Sequence, residues 1–154
     1  MLTYSVLGPE KVPEAFEKVK EHLPDLLRNF DGFASLFLSK ACTFFEVGLF
    51  GGVFWLSNIR IGHKATLHVV LWDVDVKKEV FGSKAFSDRA IRDLFRLFRL
   101  KRLEAFIPTK YTQTCQWAER CGFTLEGILR KFDVYNEQPI DIAVYSLLKE
   151  EQHG

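Results

Sequence analysis

The sequence predicts a mixed α/β (α+β) protein: a mostly antiparallel central sheet with one parallel crossover pair, flanked by helices. Three observations predict it. Period-two apolar runs and helical apolar stripes alternate along the chain, in the order strand, helices, three strands, helix, strand, helix, two strands. In the middle, "HVVLW", an amphipathic helix and "EAFI" follow one another, which is the pattern of a right-handed crossover that sets two parallel strands side by side. The 154 residues contain no repeat, low-complexity tract or linker-like run, so one domain over 1–154 is expected.

"TYSVLG" reads as a short first strand. "EKVPEAFEKVKEHLPDLLRNF" is helical, with Phe16, Val19, Leu23 and Leu26 near helix spacing and Pro24 breaking or bending it. "GFASLFLSKAC" reads as a second short helix. "FFEVGLFGGVFWLSNI" is two aromatic and β-branched runs around Gly51-Gly52, a hairpin, and "ATLHVVLWD" is the next strand. In "KAFSDRAIRDLFRLFRL", Phe86, Ala90, Ile91, Leu94, Phe95 and Phe98 form one stripe. Arg89, Arg92, Asp93, Arg96 and Arg99 lie mostly opposite, as on an ordinary amphipathic helix. "RLEAFIP" is a strand ended by Pro108. "TQTCQWAERCG" is a short helix with Gly122 as its C-cap, and the rest is a hairpin turning at "YNEQP".

Composition narrows the function. The formal net charge of +1 gives no electrostatic case for nucleic acid or an acidic membrane surface. Three cysteines, Cys42, Cys115 and Cys121, show no metal-ligand spacing, so no metal and a reducing, cytoplasmic setting are expected. "MLTYSVLGPEK" lacks the features of a signal peptide, and Lys40, Glu46 and the paired glycines interrupt the longest apolar stretch. In sheets with a parallel crossover, ligands bind beyond the C-terminal strand ends, at the start of the following helix. That place is "LWDVDVKKEVFGSKA". It resembles a phosphate-cradling position, where free N–H groups and a helix dipole meet an anion, although Gly82 is its only glycine.

The C-terminal "CGFTLEGILRKFDVYNEQPIDIAVYSLLKEE" resembles the GNAT superfamily of acetyl-CoA-dependent N-acetyltransferases, and most of all the subgroup that acetylates ribosomal-protein N-termini. The matching residues are Gly122, Phe123, Glu126, Gly127, Arg130, Asp141, Tyr145, Ser146, Leu147 and Leu148. The hairpin "FFEVGLFGGVFWLSNI" and the strand "KRLEAFIP" are similar to the family's central hairpin and fifth strand. The resemblance implies a GNAT-like fold, acetyl-CoA as cosubstrate, and an amine acceptor that is a protein N-terminus or a small molecule.

The family's pyrophosphate loop falls on Lys77-Lys78-Glu79-Val80-Phe81-Gly82, with Val80 in place of the first glycine and Gly82 as the second small residue. The resemblance implies cofactor contacts from Trp72, Asp73, Val74, Lys77, Lys78, Val80, Phe81, Gly82, Ser83, Lys84, Ala85 and Tyr111. Lys77, Lys78 and Lys84 either replace lost amide contacts or merely solvate a turn. The tyrosine that protonates the leaving thiolate in many relatives falls at Ala118, leaving Thr114 as the candidate acid and Tyr111 as second choice. Thr114 equally fits plain helix N-terminal hydrogen bonding. A base must take a proton from the amine. His68 and Glu46 are candidates, each with a plain alternative: a packed histidine and a solvated strand-face charge. Asp73 at the strand end is suited to positioning an amine, and Trp55 and Trp72 either fill the core or line a substrate cleft. Two other functions fit the same fold: a catalytically degenerate binding or structural protein, and modification of a nucleotide or nucleic-acid base. A homodimer across the C-terminal strands is an expectation from fold analogy.

Overall fold

The computed structural model describes residues 1–152. Seven strands form one sheet: β1 (Tyr4–Val6), β2 (Thr43–Val47), β3 (Gly52–Arg60), β4 (Lys64–Leu71), β5 (Arg102–Pro108), β6 (Thr124–Tyr135) and β7 (Gln138–Leu148). Their order across the sheet is β1-β2-β3-β4-β5-β7-β6. Every neighbouring pair is antiparallel except β4–β5, which is parallel. The crossover read from the sequence is therefore present.

Each face of the sheet buries its own helices. On one, Phe54, Leu56, Leu67 and Leu103 meet Val80 of α3 (Val74–Gly82), Phe86, Ile91 and Leu94 of α4 (Lys84–Leu97), and Trp117 and Ala118 of α5 (Thr112–Arg120). On the other, Phe44, Val53 and Trp55 meet Ala15, Phe16 and Val19 of α1 (Val12–Val19) and Phe33 of α2 (Phe30–Leu38). Strand alternation sorts β3 cleanly: Phe54 and Leu56 go to one core, Val53 and Trp55 to the other.

The structure departs from the sequence reading in two places. The first long helix stops at Val19 and continues as two single 3-10 turns, Lys20–His22 and Asp25–Leu27, with Pro24 between them. Pro24 turns the chain, so Leu23 stays buried while Leu26 leaves the apolar stripe and is 86% exposed. The second departure matters for function. Lys77–Gly82, expected as the pyrophosphate loop, lies within the helix α3 (Val74–Gly82). The Asp73 side chain caps it by accepting from the Val76 N–H at 3.0 Å, and Val80 pins it to the core at 3% exposure. A buried valine where the family has a glycine removes the freedom a loop needs and supplies the contact a helix needs.

Register between β4 and β5 runs from Lys64–Arg102 to Thr66–Glu104 and ends there. Beyond it the strands part. The Trp72 N–H donates to Gly51 O at 3.0 Å, which fixes the phase of the β3–β4 ladder: even-numbered β4 residues bond towards β3, odd-numbered ones towards β5. The N–H groups of Val69 and Leu71 therefore point into the gap.

Candidate active site

A cavity of about 520 Å³ occupies this gap and reaches both faces of the sheet. Val69, Leu71, Phe81 and Trp117 line it on the α3–α5 side. Trp55, Ser57, His68, Leu36 and Cys42 line it on the α1–α2 side. Its rim includes Lys77, Tyr111 and Thr114, which follow the ends of the two parallel strands, and His22, Pro24 and Leu27 of the 3-10 segment.

That segment is strapped to the β6–β7 turn. Asp25 accepts from the N–H groups of Asn136 at 2.8 Å and Glu137 at 2.9 Å, and Arg28 braces Asp25 at 3.1 Å. The turn itself needs left-handed backbone at Asn136 (φ 52°) and Glu137 (φ 62°), as a two-residue hairpin turn requires. The Glu137 amide, ahead of the other contacts, holds the Asp25 carboxyl below its ordinary pKa.

His68 stacks on Trp55, with ring centroids 4.8 Å apart, and its Nε2 hydrogen-bonds to Ser57 Oγ at 2.7 Å. Burial pushes its pKa down to about 4, so the ring is neutral at pH 7, and part of it still opens onto the cavity. Tyr111 sits across the rim from His22 (ring centroids 5.9 Å), and burial raises its pKa. Burial first and Lys77 second lower the His22 pKa.

The remaining sequence candidates divide by tertiary context. Thr114, Tyr111, His68, Lys77 and Phe81 reach the cavity. Glu46 does not: Lys11 holds both its carboxylate oxygens, at 2.8 and 2.9 Å, so a base role there is corrected to an ion pair. Trp72 turns away from the cavity; its Nε1 donates to Phe50 O at 3.0 Å. Asp73 is a helix cap, Val74 is 63% exposed, Lys78 lines neither cavity, and Val80, 3% exposed, packs in the core and also lines the smaller hollow at the α3–α4 junction.

A second hollow, of about 160 Å³, lies where α3 ends and α4 begins. Val80, Phe81, Gly82, Ser83, Lys84 and Ser87 line it together with Trp117, Arg120 and Cys121 of the α5 end. Ser83 caps α4 through the Ala85 N–H (3.3 Å), and the Arg120 guanidinium donates to Phe81 O. Arg120, Ser57, Asp133 and Val69 were not singled out from the sequence. Each is an unremarkable residue of a helix or strand that only long-range pairing brings to the site. Among the described residues no group of three His, Cys, Asp or Glu side chains is placed to hold a metal, and no helix is long and apolar enough to cross a membrane.

A seven-stranded sheet with one parallel pair splayed beneath flanking helices is the GNAT fold, and this chain has it. Among solved structures it is similar to spermidine N-acetyltransferase from Vibrio cholerae in complex with CoA and spermine. The TM-score is 0.79 and the identity 18%, over 97% of this chain and 96% of that one. It is likewise similar to the spermidine/spermine N-acetyltransferase SpeG of Vibrio cholerae in complex with manganese ions, at TM-score 0.75 and 18% identity over 96% and 92% of the two chains. No family model and no curated protein matches the sequence.

Proposed function

We propose that the protein is an N-acetyltransferase that moves an acetyl group from acetyl-CoA to a small primary amine by direct attack. The observation that carries this reading is the gap between β4 and β5: a cavity open to both faces of the sheet, with the Val69 N–H aimed into it. Acetyl-CoA supplies the reactive thioester. The chain supplies its seat. Intrahelical bonds occupy the amides inside α3, so they are closed to a pyrophosphate; the Lys77 N–H, for one, donates to Asp73 O at 3.0 Å. At the start of α4 the Ser83 side chain already takes the Ala85 N–H, and Ser83, Lys84 and Arg120 frame the hollow that serves as the phosphate seat. The acyl arm then runs past Phe81 and Trp117 to the gap.

Negative charge develops on the carbonyl oxygen during attack, and a pre-aimed amide at Val69 stabilises it without reorganisation. Thr114, or Tyr111 at the rim, donates a proton to the departing sulfur. The proton lost by the amine passes to His68, whose partner Ser57 lines the same cavity and extends the relay. A base of pKa about 4 holds a proton only briefly, so His68 conducts it towards solvent instead of storing it. The roof made by Asp25 and the hairpin turn supports a small acceptor over a protein N-terminus.

The test is calorimetric titration with acetyl-CoA and with free CoA, on the protein and on Gly82→Trp. Gly82 has open space around it, so the large side chain fills the smaller hollow without disturbing the core. Micromolar binding, about −8 kcal/mol, lost in Gly82→Trp, supports the seat. Absence of heat with both ligands removes the acetyltransferase reading and leaves the fold as a non-catalytic binding protein.

A further inference from the structure

We infer that the acceptor is an amino acid, and that the start of α5 holds its carboxylate while its amine reaches the gap. The inference rests on the acetyltransferase reading for the reaction; the carboxylate seat stands on the cavity alone. α5 begins without a cap. Tyr111, its N-cap residue, makes no side-chain cap bond, and the first amide of the helix to find an acceptor is Cys115, which donates to Tyr111 O at 3.0 Å. Among the described residues nothing accepts from the N–H groups of Thr112, Gln113 and Thr114, and the last two line the cavity. Open amides at the positive end of a nine-residue helix favour an anion.

Tyr135 points to the same ligand independently. It lines the cavity at 8% exposure, yet among the described residues no hydrogen bond engages its hydroxyl. No buried side-chain oxygen lacks a partner, so this one opens onto the cavity. Burial first, then Asp133 and Tyr111, raises its pKa, which keeps it a donor. Lys110 joins Tyr135 to the helix start: its ammonium lies 5.3 Å from the Tyr111 ring centroid and 6.0 Å from that of Tyr135. After burial, Lys77 and then Lys110 lower the His22 pKa, so both lysines stand near this rim and His22 is neutral at pH 7. Neither lysine has an ion pair among the described residues. Set against Asp133, the one carboxylate lining the cavity, they leave one positive charge over, which suits a carboxylate better than a phosphate dianion. Glu21 and Asp25 pair with Arg28 and do not line the cavity. An acceptor with a second cation meets its own sign at Lys77 and Lys110. The proposed cofactor phosphates lie at Arg120, the other end of α5 and about 13 Å along it. The carboxylate carries the recognition and the amine the reaction, so no group serves twice. Leu27, Leu36, Trp55 and Phe106 leave apolar walls for the side chain.

The probes are L-phenylalanine, phenylalaninamide and 2-phenylethylamine, which share an amine and a ring and differ in the carboxylate. Calorimetry on the full chain without acetyl-CoA tests the seat, and CoA release with acetyl-CoA tests turnover. Phenylalanine is expected to bind at least about tenfold tighter than the other two, with the same order in kcat/KM. Tyr135→Phe and Lys110→Met are each expected to weaken phenylalanine binding about threefold to tenfold, with 2-phenylethylamine binding, acetyl-CoA affinity and Tm unchanged. Equal or tighter binding of either uncharged-end probe, no binding of phenylalanine, or an unchanged phenylalanine affinity in both variants overturns the inference. Preferred binding of phenylalanine with neither acetyl-CoA binding nor CoA release leaves the seat standing and removes the acetyltransferase reading.

Discussion

Two helices begin near the proposed cofactor seat, only ten residues apart, and their N-termini are built for opposite purposes. The start of α3 is closed. Its cap is the anionic Asp73, the β2–β3 turn lies against it through the Asp73 N–H to Gly51 O bond (2.9 Å), and a Cβ on Gly51 would stand 2.6 Å from Val76 Cγ2. The start of α4 is open. Its cap is the neutral Ser83, the next residue is Lys84, and Arg120 reaches in from α5. A helix N-terminus becomes an anion seat only when its own cap and its neighbours leave the positive end unanswered. Both ends carry a side-chain cap, but the second has a neutral cap, borders the smaller hollow and has Lys84 and Arg120 beside it.

The comparison can be broken by substitution at either end. The largest effect is expected at the closed end. Gly51→Val forces a side chain against Val76 and Asp73, destabilising the fold by about 2–3 kcal/mol and lowering Tm by about 5–10 °C. Gly82→Ala at the open end meets empty space and leaves Tm nearly unchanged. Differential scanning calorimetry reads both.

Next in size is Arg120→Ala, which is expected to weaken acetyl-CoA binding about tenfold or more, whereas Asp73→Asn leaves that affinity as it was. Equal losses at the two positions would erase the distinction between the ends. A smaller effect is expected from Ser83→Asp, which gives the open end the anionic cap of the closed one. Acetyl-CoA affinity should fall about threefold, more at low ionic strength than at high.

The last expectation is read on stability and concerns pH. His68 binds a proton less readily when folded (about 4) than its usual 6.5, so between those values the unfolded chain holds more protons. Stability therefore declines as pH falls from about 6.5 towards 4 and levels off below that. Urea midpoints at pH 7 and pH 5 measure the decline, and His68→Gln should flatten it.

The sheet was legible because strand alternation survives in a single sequence. "HVVLW" and "EAFI", joined by one strong helical stripe, sufficed for the parallel pair, and Pro24 marked where the first helix breaks. α3 is not legible through the family resemblance, which sets a loop on Lys77–Gly82 where the local signals favour a helix. Asp73 stands as a ready cap, no Gly or Pro interrupts the next eight residues, and Val76 and Val80 are spaced one turn apart. At the site, Thr114 and Tyr111, named through the family resemblance, both line the cavity, and their roles stand as proposals. Glu46 and Trp72 were misplaced because Lys11 and Phe50, distant or turned aside in sequence, decide where they point. Arg120 and Asp133 escaped notice because each reaches the site through pairings that no local pattern records.

A cavity that passes through a sheet has two doors. One opens towards α3 and α5, the proposed cofactor side, and the other towards the strap between Asp25 and the hairpin turn, the proposed acceptor side. Under the proposed acetyltransferase function, neither molecule has to leave before the other arrives, and each product departs by the door its parent used. Initial-rate plots at several fixed amine concentrations should therefore give intersecting lines, the signature of two substrates held at once, and not the parallel lines of a shuttle that empties one room before filling it again.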